Sequence, residues 1–316
     1  MNPSLPTPLD WESGVRLPPP AAAGHPPFPW LNVLLFLATV SSTLFVGMGM
    51  MIAFDGRESV FRQGVIAGLR EDPSLLLDGA PFSLALIAIL LAHEMGHYLT
   101  CRYYRIQATL PYFIPAPTLV GTFGAFIRIR SPIHHRAALL EVGIAGPIAG
   151  FLVALPVLAW SMTLARHVPS DSELVRGGLT LGDPLIFTLT EWLLGAGGPP
   201  GTETYLHPIG FAAWVGFLVT ALNLLPVGQL DGGHVAYALS RRGHAIVSRV
   251  FLFALILMGV FFWPGWFVWA LLLLLLGVRH PPTVDDSRPL QRRHAVLGWI
   301  ALAMFVLCFT PTPVQF

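Results

Sequence analysis

The sequence predicts an all-α, polytopic membrane protein of about seven transmembrane helices, with a re-entrant β-hairpin between the second and third. Three observations carry that reading. Only 11% of the 316 residues are charged, against roughly 25% in ordinary soluble chains, while 54% are hydrophobic and the mean hydropathy is +0.66. Uncharged stretches of spanning length recur along the chain. The arginines, finally, are concentrated in alternate connections between those stretches. A soluble enzyme of this length would need more charge to cover its surface. The two cysteines, Cys101 and Cys308, form no disulfide framework. A net charge of +1 offers no basic face for nucleic acid.

Residues 1–30 read as a flexible, Pro-rich tail that lacks the charged start and small-residue cleavage site of a secretory signal. The first span, Leu31–Phe54, leads to an outer loop ending near residue 80. Further spans are expected at Phe82 to about Thr100, Leu139–Ala165 and Pro208–Val227. Ile246–Val278 is a run of 33 residues, apolar except near Arg249 and interrupted by Trp263-Pro264-Gly265-Trp266, and a last span covers about Ala295–Phe309. The interrupted run could be one long kinked helix or two short ones.

The arginines decide between these. All 18 cations are Arg, and residues 101–136 hold five of them and no acid. Arg241, Arg242 and Arg249 follow the fourth span, whereas connections 55–80 and 166–206 hold five acids each. The positive-inside rule puts the Arg-rich segments in the cytoplasm and the acid-rich ones outside. Segment 279–293, with four Arg, joins the cytoplasmic set only if Trp263–Trp266 is a turn between two spans. Seven helices with the N-terminus inside is the consistent count. The expected organisation is a tail (1–30), a first helix with its outer loop (31–80), a core (81–242) and C-terminal helices (243–316).

Residues 106–130 do not fit a helix. Pro111, Pro115 and Pro117 precede Gly121-Thr122-Phe123-Gly124, and Phe126-Ile127-Arg128-Ile129-Arg130 alternates with a strand's period of two. A re-entrant or interfacial hairpin is expected, since irregular backbone survives at membrane depth only inside protein or along a water-filled cavity. A plain cytoplasmic loop is the simpler alternative.

An apolar span has no physical reason to carry His93-Glu94-Met95-Gly96-His97. His93 and His97 are four residues apart and so share a helical face, which lets two imidazoles bind one Zn²⁺. Glu94 is placed beside them to take a proton from a water activated there. A buried Glu costs several kcal/mol unless paired or near a metal, which disfavours a chance match. A catalytic zinc wants a third protein ligand. Asp231 is the only acid between Glu203 and Asp285. The expected topology brings His97 and Asp231 to the same side of the membrane, although an Asp in a Gly-rich segment can also be a turn residue.

The pair of motifs, His93-Glu94-Met95-Gly96-His97 and Asn223-Leu224-Leu225-Pro226 with Leu230-Asp231-Gly232, resembles the site-2 protease family of zinc intramembrane metalloproteases. The resemblance covers roughly residues 80–240. Gly121-Thr122-Phe123-Gly124 is similar to that family's glycine-containing re-entrant hairpin, and Ala145-Gly146-Pro147 to an element of its next helix. The wording around Asn223–Gly233 resembles the branch with plant chloroplast proteases and bacterial relatives. The resemblance implies His93, His97 and Asp231 as ligands of one Zn²⁺, Glu94 as base and Asn223 as stabiliser of the reacting carbonyl. It further implies hydrolysis of a peptide bond in or near a transmembrane segment of a membrane protein. Connection 166–206, about 40 residues, is shorter than an ordinary domain of about 50 or more, so no PDZ domain is expected there.

A helical substrate hides its carbonyls, so pairing with an exposed hairpin edge would hold it extended. Gly121, Thr122, Phe123, Gly124 and Phe126 are the expected substrate-binding residues, and proline at Phe126 is expected to slow cleavage without loss of zinc. His134, His135 and His234 read as surface residues and Glu141 as a helix-capping acid. Residues 183–195 read as a short amphipathic helix on the outer surface. A divalent-metal transporter has similar residue types but no need for a Glu between two His. A non-cleaving scaffold needs no base. The expected home is a bacterial cytoplasmic membrane, with the N-terminus and the active-site opening on the cytoplasmic side.

Overall fold

The computed structural model describes residues 28–172 and 180–315. The expected tail lies almost wholly outside those residues. From the N-terminus come α1 (Trp30–Phe54), α2 (Val65–Glu71) between two 3₁₀ turns, and α3 (Ala80–Tyr103). The strands β1 (Tyr112–Pro115) and β2 (Thr122–Phe126) follow, then α4 (Arg136–Leu164) and β3 (Arg166–Pro169). Next are β4 (Thr180–Leu181), α5 (Leu185–Leu194), β5 (Thr202–Tyr205), α6 (Pro208–Asn223) and α7 (Asp231–Leu239). The chain closes with α8 (Arg241–Phe261), α9 (Gly265–Leu276), α10 (Arg292–Cys308) and β6 (Val314–Gln315).

The architecture is mostly helical. Four helical segments are long and apolar enough to cross a membrane: Trp30–Phe54, Pro73–Tyr103, Arg136–Leu164 and Arg241–Phe261. The other three expected spans are shorter helices of 16, 12 and 17 residues. At 1.5 Å per residue even the longest reaches only about 26 Å of a core about 30 Å thick. The fourth expected span stops at Asn223 rather than Val227. Pro226 has no N–H to offer the preceding turn and pushes Leu225 out of helical geometry. Gly277, at φ +92°, likewise ends α9.

Helices α3, α4 and α6 form the centre. Phe82, Leu86, Leu158, Ala212, Ala213 and Phe217 are completely buried between them. Glycine sets how closely α3 and α4 approach, for a methyl group on Gly96 would collide with the Ala145 carbonyl. Outward-facing side chains of α8 and α9 are large and apolar, Phe253, Phe261 and Leu275 among them. Such faces suit lipid. The predicted short helix at 183–195 is present as α5, its left-handed C-cap supplied by Gly195.

Strands β1 and β2 pair antiparallel, Tyr112 opposite Phe126 and Phe113 opposite Ala125, with a register shift between Phe113 and Pro115. Two further two-stranded pieces, β3–β5 and β4–β6, have no counterpart in the sequence reading. Contacts sort the connections into two ends. Arg166 reaches the Phe54 carbonyl (2.7 Å), Phe54 stacks on Tyr205, and β4 pairs with the C-terminal β6. Trp266 donates to the Pro311 carbonyl beside that pair (2.6 Å). At the other end Arg136 reaches the Arg288 carbonyl (3.2 Å), Asp285 N–H donates to the His134 carbonyl, and Arg241 pairs with Asp286 (3.2 Å).

Candidate metal centre

The HExxH segment lies in the second half of α3, surrounded by apolar turns that bury His93, Glu94 and His97. Helical spacing stacks the two imidazoles, with their Nε2 atoms 3.2 Å apart. Asp231 arrives from elsewhere. After α6 ends at Asn223, the chain unwinds through residues 224–230 and α7 begins at Asp231. Gly232 and Gly233 permit that turn, since a side chain on either would strike the backbone carbonyls of Leu224 or of Val227 and Gly228. Asp231 Oδ2 then lies 3.2 Å from His93 Nε2 and 3.3 Å from His97 Nε2.

The orientation of His97 is set by α4. Its Nδ1 lies 2.7 Å from the Val142 carbonyl, which can only accept, so Nδ1–H donates and Nε2 keeps its lone pair in the neutral ring. Gly146 makes this possible, because a methyl group there would overlap the imidazole. His93 Cβ packs against Gly150, where an added Cβ would lie at 3.2 Å. Neither backbone contact was visible in the sequence, although Ala145-Gly146-Pro147 marks the place.

The three atoms fit a zinc ion. Tetrahedral zinc with ligand bonds of about 2.0–2.1 Å has ligand–ligand edges of roughly 3.3–3.4 Å, and the observed triangle measures 3.2, 3.2 and 3.3 Å. Asp231 Oδ2 is buried without a hydrogen-bond partner. A carboxylate oxygen and two imidazole lone pairs facing one another repel unless a cation sits between them. Among the described residues this is the only group of three such side chains with converging ligand atoms.

Two further groups border the triangle. Asn223, at the last turn of α6, places Nδ2 3.1 Å from His93 Nε2. The Glu94 carboxylate has the backbone amide of Ile127 as a polar neighbour, which brings the segment just after β2 beside the centre. Arg128 accepts from Thr109 N–H (3.0 Å) and Arg130 N–H donates to Gln107 (2.7 Å), so both turn their backbone groups toward the incoming strand. Alternation along an extended chain therefore turns those of Ala125 and Ile127 the other way.

The remaining hairpin residues occupy distinct places. Gly121, at φ +80°, lies against α1, where its carbonyl accepts from Ser42 Oγ (2.6 Å). Thr122 is buried and bonds the Ile114 carbonyl (2.7 Å). Gly124 has φ +97° at the register shift. Phe123 is 72% exposed, and Phe126 is exposed and stacks on Tyr112.

Two surface expectations and one capping expectation need correction. His234 is half-buried, packed beside Gly143, with Nδ1 2.6 Å from His280 Nε2. His280 Nδ1 in turn donates to the Pro281 carbonyl. Burial holds His280 below the ordinary imidazole range, consistent with a neutral ring that accepts from His234. His135 caps α4 by accepting from the Ala138 amide (3.0 Å). Glu141 is not in the first turn of α4; it accepts from Tyr104 (2.6 Å) and meets His294 (3.1 Å), joining α3, α4 and α10. Sequence spacing could not reveal partners 37 and 153 residues away.

Comparison with known proteins agrees with this geometry. Residues 81–263 match peptidase family M50. The chain is 33% identical over 253 residues to the probable zinc metalloprotease EGY2, chloroplastic, of Oryza sativa subsp. indica, which covers 77% of this chain and 44% of that protein. It is 31% identical over 246 residues to the Arabidopsis thaliana protein named probable zinc metalloprotease EGY2, chloroplastic (77% and 43%). It is also 28% identical over 291 residues to the Arabidopsis thaliana probable zinc metalloprotease EGY1, chloroplastic (89% and 53%). The chain thus spans about half the length of these curated relatives. With the family match covering more than half of its residues, the chain belongs to peptidase family M50.

Proposed function

We propose that this chain is a zinc-dependent intramembrane endopeptidase that hydrolyses a peptide bond in or near a transmembrane segment of a membrane-protein substrate. The observation that carries the reading is the buried triangle of His93, His97 and Asp231 with Glu94 beside it. Bound there, one Zn²⁺ would supply Lewis acidity and lower the pKa of water toward neutrality. Glu94 takes the proton of the attacking water and passes it to the leaving amine as the C–N bond breaks. The Asn223 amide stands where it can donate to the carbonyl oxygen as negative charge develops. The Val142 carbonyl holds His97 in the tautomer whose Nε2 lone pair would be free to bind the ion.

The substrate must be extended to expose a carbonyl. The outward backbone groups of Ala125 and the Ile127 carbonyl offer a strand edge beside Glu94, and a substrate paired there would present its backbone to the centre. Gly121 and Thr122 build that hairpin, while Phe123 is free to touch the substrate. The topology we adopt has seven spans, with the N-terminus, the re-entrant hairpin and the mouth of the site on the Arg-rich side, and a core of residues 81–242. The relatives are named chloroplastic, so the compartment is proposed only as the side that carries the arginines.

The test uses purified full-length protein and a model transmembrane substrate. Glu94→Gln should keep about one zinc per chain and lose at least about a hundredfold in cleavage. Cleavage by the variant at the wild-type rate would overturn the mechanism, and zinc uptake into vesicles without cleavage would favour transport instead.

A further inference from the structure

Away from the metal centre, a groove of about 400 Å³ runs between α1 and the hairpin. Its floor is apolar, made by Leu31, Leu35, Phe113 and Ile114. The stacked rings of Tyr112 and Phe126 also line it, as do Arg128 and Arg130, both of them exposed. Phe126, Arg128 and Arg130 are exposed while Ala125, Ile127 and Ile129 are half-buried, so the strand has two distinct faces. The metal centre lies toward Ile127; the groove lies on the side of α1.

Two features fix where this groove sits. Asn32 donates to the carbonyls of Leu110 and Pro111 (3.0 and 2.9 Å), pinning the start of the hairpin to the first turn of α1. Leu31 and Leu35 are therefore within about 8 Å of the end of a helix that crosses the membrane. Trp30 beside them is 72% exposed, as an aromatic residue at a membrane–water boundary would be. The groove thus opens where hydrocarbon meets headgroup.

The two arginines have no carboxylate partner among the described residues. Two residues apart on one strand face, their Cα atoms are about 7 Å apart, a spacing that suits two guanidinium forks on one phosphodiester. The tail of an amphiphile would lie on leucine and aromatic carbon while its anionic head met Arg128 and Arg130. We propose that this groove binds one anionic phospholipid from the Arg-side leaflet. A substrate strand is a poorer occupant, because a peptide lying there would be separated from Glu94 by the strand itself. The proposal requires membrane integration but not the hydrolytic reading.

The experiment measures lipid binding to the purified full chain in neutral detergent. Native mass spectrometry and thermal unfolding would be followed with added phosphatidylglycerol, phosphatidylcholine or inorganic phosphate. Phosphatidylglycerol should bind as one retained molecule and raise the unfolding temperature, and the other two should not. Arg128→Gln with Arg130→Gln should weaken phosphatidylglycerol binding by at least about tenfold. Both side chains are exposed, so the variant should fold. Arg102→Gln with Arg105→Gln removes the same charge from the same side of the membrane and should leave binding within about twofold. Leu35→Trp, which fills the floor, should weaken binding with both arginines intact. Equal retention of phosphatidylcholine, an equal effect of the Arg102/Arg105 variant, or stabilisation by inorganic phosphate alone would each overturn the proposal.

Discussion

At the residue scale, the metal centre depends as much on missing side chains as on ligands. Gly146 occupies the position where any Cβ would overlap the His97 ring, whereas Gly150 leaves His93 a contact of 3.2 Å that a small shift could relieve. The two positions should therefore respond differently to one added methyl group. Gly146→Ala must displace His97 from both the Val142 carbonyl and the ligand triangle, so zinc affinity should fall by about 10–100-fold and cleavage with it. Gly150→Ala should keep its zinc and cost at most about 1–3 kcal/mol of stability. Metal content after dialysis, read beside thermal unfolding, distinguishes them. Full zinc occupancy in Gly146→Ala would show that α4 does not orient the ligand.

At the element scale, the hairpin shows where sequence reasoning was sharp and where it was blunt. The period of two over Phe126–Arg130 announced an extended strand, and the prolines and glycines announced the break before it. Periodicity says which side chains share a face. It does not say which backbone amides are already used. Phe126 shares the parity of Arg128 and Arg130, whose backbone groups are spent on the incoming strand. Proline at Phe126 would therefore damage the hairpin itself, and Ala125→Pro is the sharper test because it removes an outward N–H. Under strand addition, Ala125→Pro should lower cleavage at least about tenfold with zinc content unchanged, and unchanged cleavage would end that model of substrate binding. The two-stranded pairs β3–β5 and β4–β6 were not legible for a related reason. Each strand is four residues or fewer, too short to show a period, and β4 finds its partner at the far end of the chain.

At the scale of the whole molecule, charge and contact agree on two ends. Segments holding most of the acids meet one another around Phe54, Arg166 and Tyr205, and the Arg-rich segments meet around Arg136, Arg241 and Arg288. The sequence could assign these groups because charge asymmetry needs no knowledge of packing. It could not foresee that the helix after the Trp263–Trp266 turn, α9, would be only 12 residues long, which the seven-span topology we propose has to return across the membrane. That helix is only about 18 Å long. Residues 277–279 continue without helical hydrogen bonding and bend at Val278. Exposed to lipid, such backbone would be prohibitive. Here the Gly277 carbonyl lies against Gly228 in the unwound stretch after α6, so the two helix breaks shelter each other. Helix α8 starts at Arg241, beside Asp286, and ends about 31 Å away near Trp263. The turn at Trp263–Trp266 and the loop at 279–293 should therefore open on opposite sides of the membrane. With buried Cys101 and Cys308 replaced by Ser, a single cysteine at Phe262 or at Ser287 can be labelled in sealed vesicles with an impermeant thiol reagent. Position 262 should react from the side that carries the acids and position 287 only from the side that carries the arginines. Labelling of both from one side would remove a span, leave six, and break the parity that brings the Asp231 segment and the 279–293 loop to one face.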